Sequence, residues 1–352
     1  MLAPVTHHLA VTTIIRQRVL PVDGEVLVRL NQKVSAADVV AEASFSHSHH
    51  LIDIARSFNI KAAEAEKMTT LRVGEKVEEG TVVATGKGLV PRQLKVKHTG
   101  RVVATGGGQV LIDISKRDYQ LKAGVSGEVV EVIPNRGVVI QETGALIQGV
   151  WGNGRIDRGR LHVLAEKANE ILAPSQLDIS LRSLVILAGS CQDADSLKAA
   201  ADITARGLIL SSLAPSLISL ARKMPYPIIV TDALGKQPMN ATAYKILSTN
   251  NQRDNVSLNA DTFNRHKGTR PEVVIPLPQN NLPPEPMDVD QFKTGQTVRL
   301  VRAPHAGAVG SLVELPATQQ VLANGLRVTA GQVRLEDGEQ ITVPLVNLEV
   351  LG

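Results

Sequence analysis

Short runs in which valine and isoleucine alternate with polar residues, most of them separated by glycine turns, fill the chain from Val19 to about Gly149. The first is residues 23–30, and the pattern returns at 33–41, 71–84, 99–104, 126–133 and 136–140. A period of two sends successive side chains to opposite faces of a pleated strand, a surface that β-branched residues fit well. Glycine at the reversals supplies the positive-φ conformations of tight turns. A single ribbon of this kind cannot bury its apolar face, so the runs are expected to close on one another as a β domain over residues 1–156. An insertion carrying residues 44–50 and a helical stretch over 60–67 is expected to cross between its halves.

The period changes over residues 157–276. Residues 182–188 are a buried-strand pattern, apolar from Leu184 to Ala188 and ended by Gly189 and Ser190, and 193–204 read as a helix with Asp193 as N-cap and Leu197, Ala200, Ala201 and Thr204 facing inward. Residues 207–210 predict a second strand, Pro215 opens a second helix, 226–231 predict a third strand, and 242–247 a further short helix. Brief loops between alternating β and α segments imply a parallel sheet with right-handed crossovers, hence a three-layer α/β domain. Runs at 255–259 and 272–276 add strands of open pairing. Four prolines, Pro278, Pro283, Pro284 and Pro286, then mark residues 277–290 as an extended linker. Beyond it, strand-like runs at 295–302, 311–315, 325–329, 332–335 and 340–344 predict a small five-stranded barrel over 291–352, folding as a separate appendage.

A chain of 352 residues can hold two or three domains with cores of their own. Aromatic residues are only 2% of it, so the cores must be built from Val, Leu, Ile and Ala, and stacking platforms for single-stranded nucleic acid are disfavoured. Cys191 is the single cysteine, which excludes an intrachain disulfide and a multi-cysteine zinc site. The apolar runs are too short to span a bilayer and no secretory leader pattern opens the chain, so a cytoplasmic location is expected. Net charge is +4, unevenly placed: residues 81–112 contain no Asp or Glu but hold Lys87, Arg92, Lys95, Lys97 and Arg101. Gathered on neighbouring hairpins, these would form a surface for phosphate or acidic protein; compensated from adjacent strands, they would form an ordinary solvated face.

Ligands of open parallel sheets collect beyond the carboxyl ends of strands. Those ends carry Ser190, Cys191 and Asp193, then Ser211 and Ser212, then Thr231 and Asp232. Ser190, Ser211, Ser212, Thr231 and Asp232 are therefore the candidate ligand residues, and the same residue types also serve as helix caps and turns. Cys191 lacks a histidine partner in any motif, and Asp193 beside it opposes a thiolate, so a structural thiol is expected. His47, His49 and His50 form the only histidine cluster; adjacent loop imidazoles rarely complete a metal shell, and no metal is expected. Gly106-Gly107-Gly108, Gly152-Asn153-Gly154 and Lys293-Thr294-Gly295 match neither a dinucleotide fingerprint nor a P-loop, so no ATP or NAD chemistry has a motif here. Trp151, the lone tryptophan between glycines, suits a seam between domains better than a stacking platform.

Two resemblances add to this reading. The Gly-Val units of the N-terminal region resemble the barrel-sandwich hybrid fold of biotinyl and lipoyl domains, whose carriers bear the cofactor on a hairpin lysine. Lys97, within Leu94-Lys95-Val96-Lys97-His98-Thr99-Gly100, holds the corresponding place without flanking methionines, and no cofactor is expected. Residues 295–314, with Gly307 and Gly310 at the turn, resemble the KOW domains of transcription elongation factors and ribosomal proteins, which have an SH3-like barrel. The resemblance implies that Arg299, Arg302, His305 and Arg327 contact RNA, ribosomal protein or a transcription partner. Aromatic residues near the first turn are absent here, and residues 293–352 hold five basic against five acidic side chains, so protein docking is as well supported as nucleic acid.

The expected architecture is multidomain: barrel-sandwich hybrid, central parallel α/β domain, and SH3-like barrel. The expected function is a scaffold or adaptor without catalysis, joining macromolecular partners in transcription or translation through Lys87, Arg92, Lys95, Lys97, Arg101 and the barrel residues. The alternative is an enzyme or small-ligand sensor with a phosphate or metabolite site in the α/β domain. A module of a membrane-associated assembly is a third reading.

Overall fold

The structure, a computed structural model, describes residues 2–86, 91–264, 268–279 and 281–352, with the side chains of 45–47 and 115–118 outside the description. It is a multidomain combination of α/β and all-β parts, with several sheets and few, short helices. Two compact units divide the chain: Met1–Val19, Val28–Val40 and Lys122–Gly352 form one, and Leu20–Leu27 with Ala41–Leu121 the other. Among the described residues no helix is long and apolar enough to cross a membrane.

The larger unit contains an eleven-stranded sheet. Strands Ile156–Val163, Leu184–Leu187, Gly207–Leu213 and Ile228–Leu234 run parallel, as the alternation of β and α segments predicts. Their side chains alternate between two cores. Ile186, Leu208, Leu210, Ile228 and Val230 pack with Leu197 and Ala200 of helix Ala194–Asp202, while Val185, Leu187, Ile209 and Ile229 pack with Ala243, Ile246 and Leu247 of helix Ala241–Thr249. Burial on both faces explains why these strands read as continuous apolar runs. Asp193 caps the first helix, accepting from the Ser196 N–H, and Asn240 caps the second.

The same sheet continues antiparallel through Val256–Asn259, Glu272–Pro276, Gly137–Gln148 and Gly127–Ile133, with His8–Val19 along the other edge of Gly137–Gln148. This corrects the expected 1–156 boundary. Residues 122–156 belong to the larger unit, because a period of two predicts a strand but not which sheet it joins.

A second sheet of the larger unit has seven strands, in the order Val289–Gln291, Leu2–Thr6, Leu348–Leu351, Thr297–Leu300, Val309–Glu314, Ala330–Leu335 and Gln340–Pro344. Leu2–Thr6 pairs antiparallel with Val289–Gln291 and parallel with Leu348–Leu351, and it sends Ala3 and Val5 into the core beside Val298, Leu312, Val333 and Val350. The C-terminal module is therefore not an appendage complete in itself; the N-terminus supplies one of its strands. The expected linker is also engaged. The Thr12 and Thr13 hydroxyls donate to the carbonyls of Pro284 and Pro283, bonds that prolines accept although they have no N–H of their own.

The smaller unit is a five-stranded sheet in the order Glu25–Val26, Val39–Asp53, Gln109–Lys122, Gly100–Gly106 and Lys76–Val77, with a hairpin of Val82–Thr85 and Gln93–Lys95. Its core holds Ile52, Ile54, Val77, Val83, Val96, Val102, Val110 and Ile112. The expected helix over 60–67 is shorter, Ala62–Ala65 followed by a tighter turn Glu66–Met68. Gly108, at φ +75°, lies so close that a Cβ would stand 2.9 Å from the Ala65 methyl, so this reversal requires glycine for both conformation and space.

Candidate functional site

All five candidate ligand residues gather at the carboxyl ends of the parallel strands. Ser211, Ser212, Thr231 and Asp232 lie within Gly207–Leu213 and Ile228–Leu234, and Ser190 follows Leu184–Leu187. The pairing runs past the regular strands through bridges Ile171–Ser190 and Cys191–Leu213. Every one of the five is buried, at most 4% exposed. The Ser212 hydroxyl donates to Ser190 Oγ at 2.8 Å and accepts from the Gln237 N–H at 3.0 Å, and Ser190 Oγ also accepts from the Gln192 amide. Thr231 Oγ1 donates to Asp232 Oδ2 at 2.6 Å. Ser211 Oγ is buried without a hydrogen-bond partner among the described residues.

Cys191 is buried beside this cluster, its Sγ 3.5 Å from the Asp193 carbonyl. Burial first, and the Asp193 charge second, push its thiol up to about 12, which removes it as a nucleophile near neutrality.

Above the strand ends lies Arg299, from Thr297–Leu300 of the seven-stranded sheet. Its neighbours Val298 and Leu300 face that sheet's core, so alternation turns Arg299 to the opposite face. That face is covered: Arg299 is 1% exposed and its Nη1 donates to the Thr231 carbonyl at 2.9 Å. Its Nε donates to Glu349 Oε1 at 2.6 Å, across the strand pairing that sets the two residues opposite each other. Glu349 Oε2 accepts from Arg270 Nη1 at 3.2 Å and from the Thr6 hydroxyl at 3.0 Å. The Arg270 guanidinium in turn lies 4.6 Å from the centre of the Phe263 ring.

The electrostatics follow from this packing. Burial would raise the Glu349 carboxyl, but Arg299, Arg270 and the hydrogen bonds from Arg299 and Thr6 outweigh it and hold it below the usual range. Burial raises the Asp232 carboxyl, against the Arg299 charge and hydrogen bonds from Thr231 and the Asn240 N–H. His8 is lowered to about 4, by burial and then by Arg299. Its Nε2 lies 3.2 Å from the Gln148 carbonyl, so the neutral ring carries its proton there as donor.

Arg299 was expected on an exposed docking face and is instead an internal connector. The other carried-over residues differ: Arg302 and Arg327 are exposed and His305 is half-buried. In the smaller unit Arg92, Lys95, Lys97 and Arg101 are all exposed, while Lys87 lies outside the described residues. Arg101 pairs opposite Lys76 on one side and Asp113 on the other, so one carboxylate does stand on a neighbouring strand. The His50 and His98 rings meet edge to face at 5.8 Å, His49 is exposed, and His47's side chain is outside the description. No group of three metal-type side chains assembles among the described residues. Trp151, half-buried, pairs with Val230 and packs on the core that holds Leu197 and Ala200 of helix Ala194–Asp202.

His8, Arg270, Glu349 and Thr6 complete the cluster and were not singled out by sequence. Their one local signal is phase: Arg299 and Glu349 both interrupt apolar strands at outward positions, a pattern that predicts partners for each other only once the strands are known to be neighbours. Compared with protein-family models and with curated proteins, the chain matches none.

Proposed function

We propose that this chain is a non-catalytic adaptor that docks macromolecular partners bearing acidic groups, protein surfaces or RNA of the transcription or translation machinery. One contrast carries the reading. The polar residues at the parallel strand ends are buried beneath Arg299, with Ser212 bonded to Ser190 and Thr231 to Asp232, whereas Arg92, Lys95, Lys97 and Arg101 of the smaller unit stay exposed, as do Arg302 and Arg327. A site that turns over small molecules needs reachable groups; a docking module needs exposed ones. The glycine-punctuated strands of the smaller unit fit a barrel-sandwich hybrid, and the order of the strands from Thr297 to Leu351 fits an SH3-like barrel of KOW type completed by Leu2–Thr6.

Titration of the full chain with ribosomes, RNA and duplex DNA at moderate salt, beside capture from native lysate with and without nuclease, tests this. Association that weakens as salt rises, or a captured partner that resists nuclease, supports the reading. A chain that retains neither nucleic acid nor protein contradicts it.

A further inference from the structure

The strand Gly137–Gln148 has an unusual neighbourhood. His8–Val19 follows one of its edges almost throughout, but the other edge is shared by two strands in succession. Gly127–Ile133 pairs with its first part, as far as Gln141, and Glu272–Pro276 with its last part, from Gly144. Glu142 and Thr143 stand at the fork between them. There the Thr143 carbonyl still accepts from the Leu277 N–H at 2.9 Å, while the Thr143 N–H is bonded at 2.8 Å to the carboxylate of its own neighbour, Glu142. A side chain has taken the place of a strand at a main-chain donor.

A cleft of about 750 Å³ opens at this fork, inside the size range of small-molecule sites. Both signs of charge line it: Lys33 and Arg158 on one count, Asp38, Glu128 and Glu142 on the other, with Asp38 Oδ2 already accepting from the Ser35 N–H. Lys33 and Glu128 are opposite each other in the strand pairing, and Arg158 is anchored through Nη1 to Asn255 at 2.6 Å. Ser35, which also lines the cleft, has a buried hydroxyl with no partner among the described residues. Pro276 adds a rigid apolar wall.

We propose that this fork binds a small zwitterion, a free amino acid or dipeptide. Its carboxylate would meet Lys33 and Arg158, its ammonium would meet Glu142 and Glu128, and one of its oxygens would accept from the Thr143 N–H as the Glu142 side chain turns to the ammonium. Burial raises the Glu142 carboxyl, with the Thr143 N–H and Lys33 opposing, so an ammonium beside it relieves an unfavourable charge. The site is independent of the adaptor reading, since none of its residues belongs to the exposed cations of the smaller unit.

Amide chemical-shift mapping and calorimetry on the full chain test it, with glycine, lysine, glutamate, proline and glycylglycine as probes at millimolar concentration. At least one probe should shift the Thr143 amide saturably. Glu142→Gln and the exposed Arg158→Ala should each weaken that probe roughly tenfold, the scale of a charge-assisted hydrogen bond, without changing the dispersion of the remaining amides. Three results would overturn the proposal: no probe moves Thr143, both variants bind as the native chain does, or N-acetylated and amidated probes bind equally well. Partner capture by the chain should be unaffected by either variant, which separates this site from the docking function.

Discussion

The Nη1 of Arg299 lies 2.9 Å from the main-chain oxygen of Thr231, a bond between the seven-stranded sheet and the end of a parallel strand in the other sheet of the same unit. Through its Nε the same guanidinium holds Glu349, and through Glu349 it reaches Arg270 and Thr6. The position where an open α/β sheet would receive a ligand is thus occupied by the protein's own arginine.

Removing that arginine takes the shorter of two ion pairs from a buried carboxylate, leaving Glu349 with Arg270 and Thr6. Arg299→Ala should lower stability by about 3–5 kcal/mol, the cost of breaking a buried ion pair from one side. Because Glu349→Ala removes the other half of the pair, the double variant should lose less than the sum of the singles. Urea unfolding of the four proteins checks this; a single variant within about 0.5 kcal/mol of native would show that the pair is not a buried contact.

His8 sets a pH dependence of definite sign. Its folded pKa, about 4, is below the ordinary 6.5, so between these values the unfolded chain binds the extra proton. The stability it contributes is complete above pH 6.5 and is lost as pH falls towards 4, a loss on the order of 3 kcal/mol. Glu349, held down in the folded state, adds to the acid loss, while Asp232, raised by burial, opposes it. His8→Gln should flatten the stability profile across this window; a variant profile parallel to the native one would remove His8 as its source.

Thr204 follows helix Ala194–Asp202 in the left-handed region at φ +53°, where its N–H closes on the Ala201 carbonyl and the next N–H on Ala200. A β-branched residue is unfavourable there, and the side chain is exposed. Thr204→Gly should stabilise the chain by about 1 kcal/mol, seen as a higher thermal midpoint. A loss of stability would mean that the side chain makes a contribution its exposed position does not explain.

Cys191, buried with its thiol pushed up to about 12, should be inert to thiol reagents in the native chain at neutral pH and react fully once the chain is unfolded. Fast stoichiometric labelling of the folded protein would contradict the packing around it.

The local features of the fold are legible from the sequence because they depend on local periodicity. Glu272–Pro276 coincides with its apolar run, Leu184–Leu187 lies inside 182–188, and Asp193 caps the helix its position predicts. Partner choice is not local. Leu2–Thr6 carries Pro4 and little alternation, yet it pairs with Leu348–Leu351 at the far end of the chain. Gly137–Gln148 has the same period as the strands of the smaller unit and joins a different sheet. Arg299 has the outward phase that alternation gives it, but sequence offers no sign that another part of the chain covers that face.

Affinity capture with a surface variant decides whether the exposed cations of the smaller unit form the docking surface. The native full chain and the chain with Arg92, Lys95, Lys97 and Arg101 all changed to alanine would be compared for retained partners from native lysate. These side chains are exposed, so the variant should fold as the native chain does. A partner should be retained by the native chain and lost by the variant. Undiminished retention by a folded variant, with loss instead on Ser212→Ala or Asp232→Asn, would place recognition at the buried strand ends and contradict that expectation.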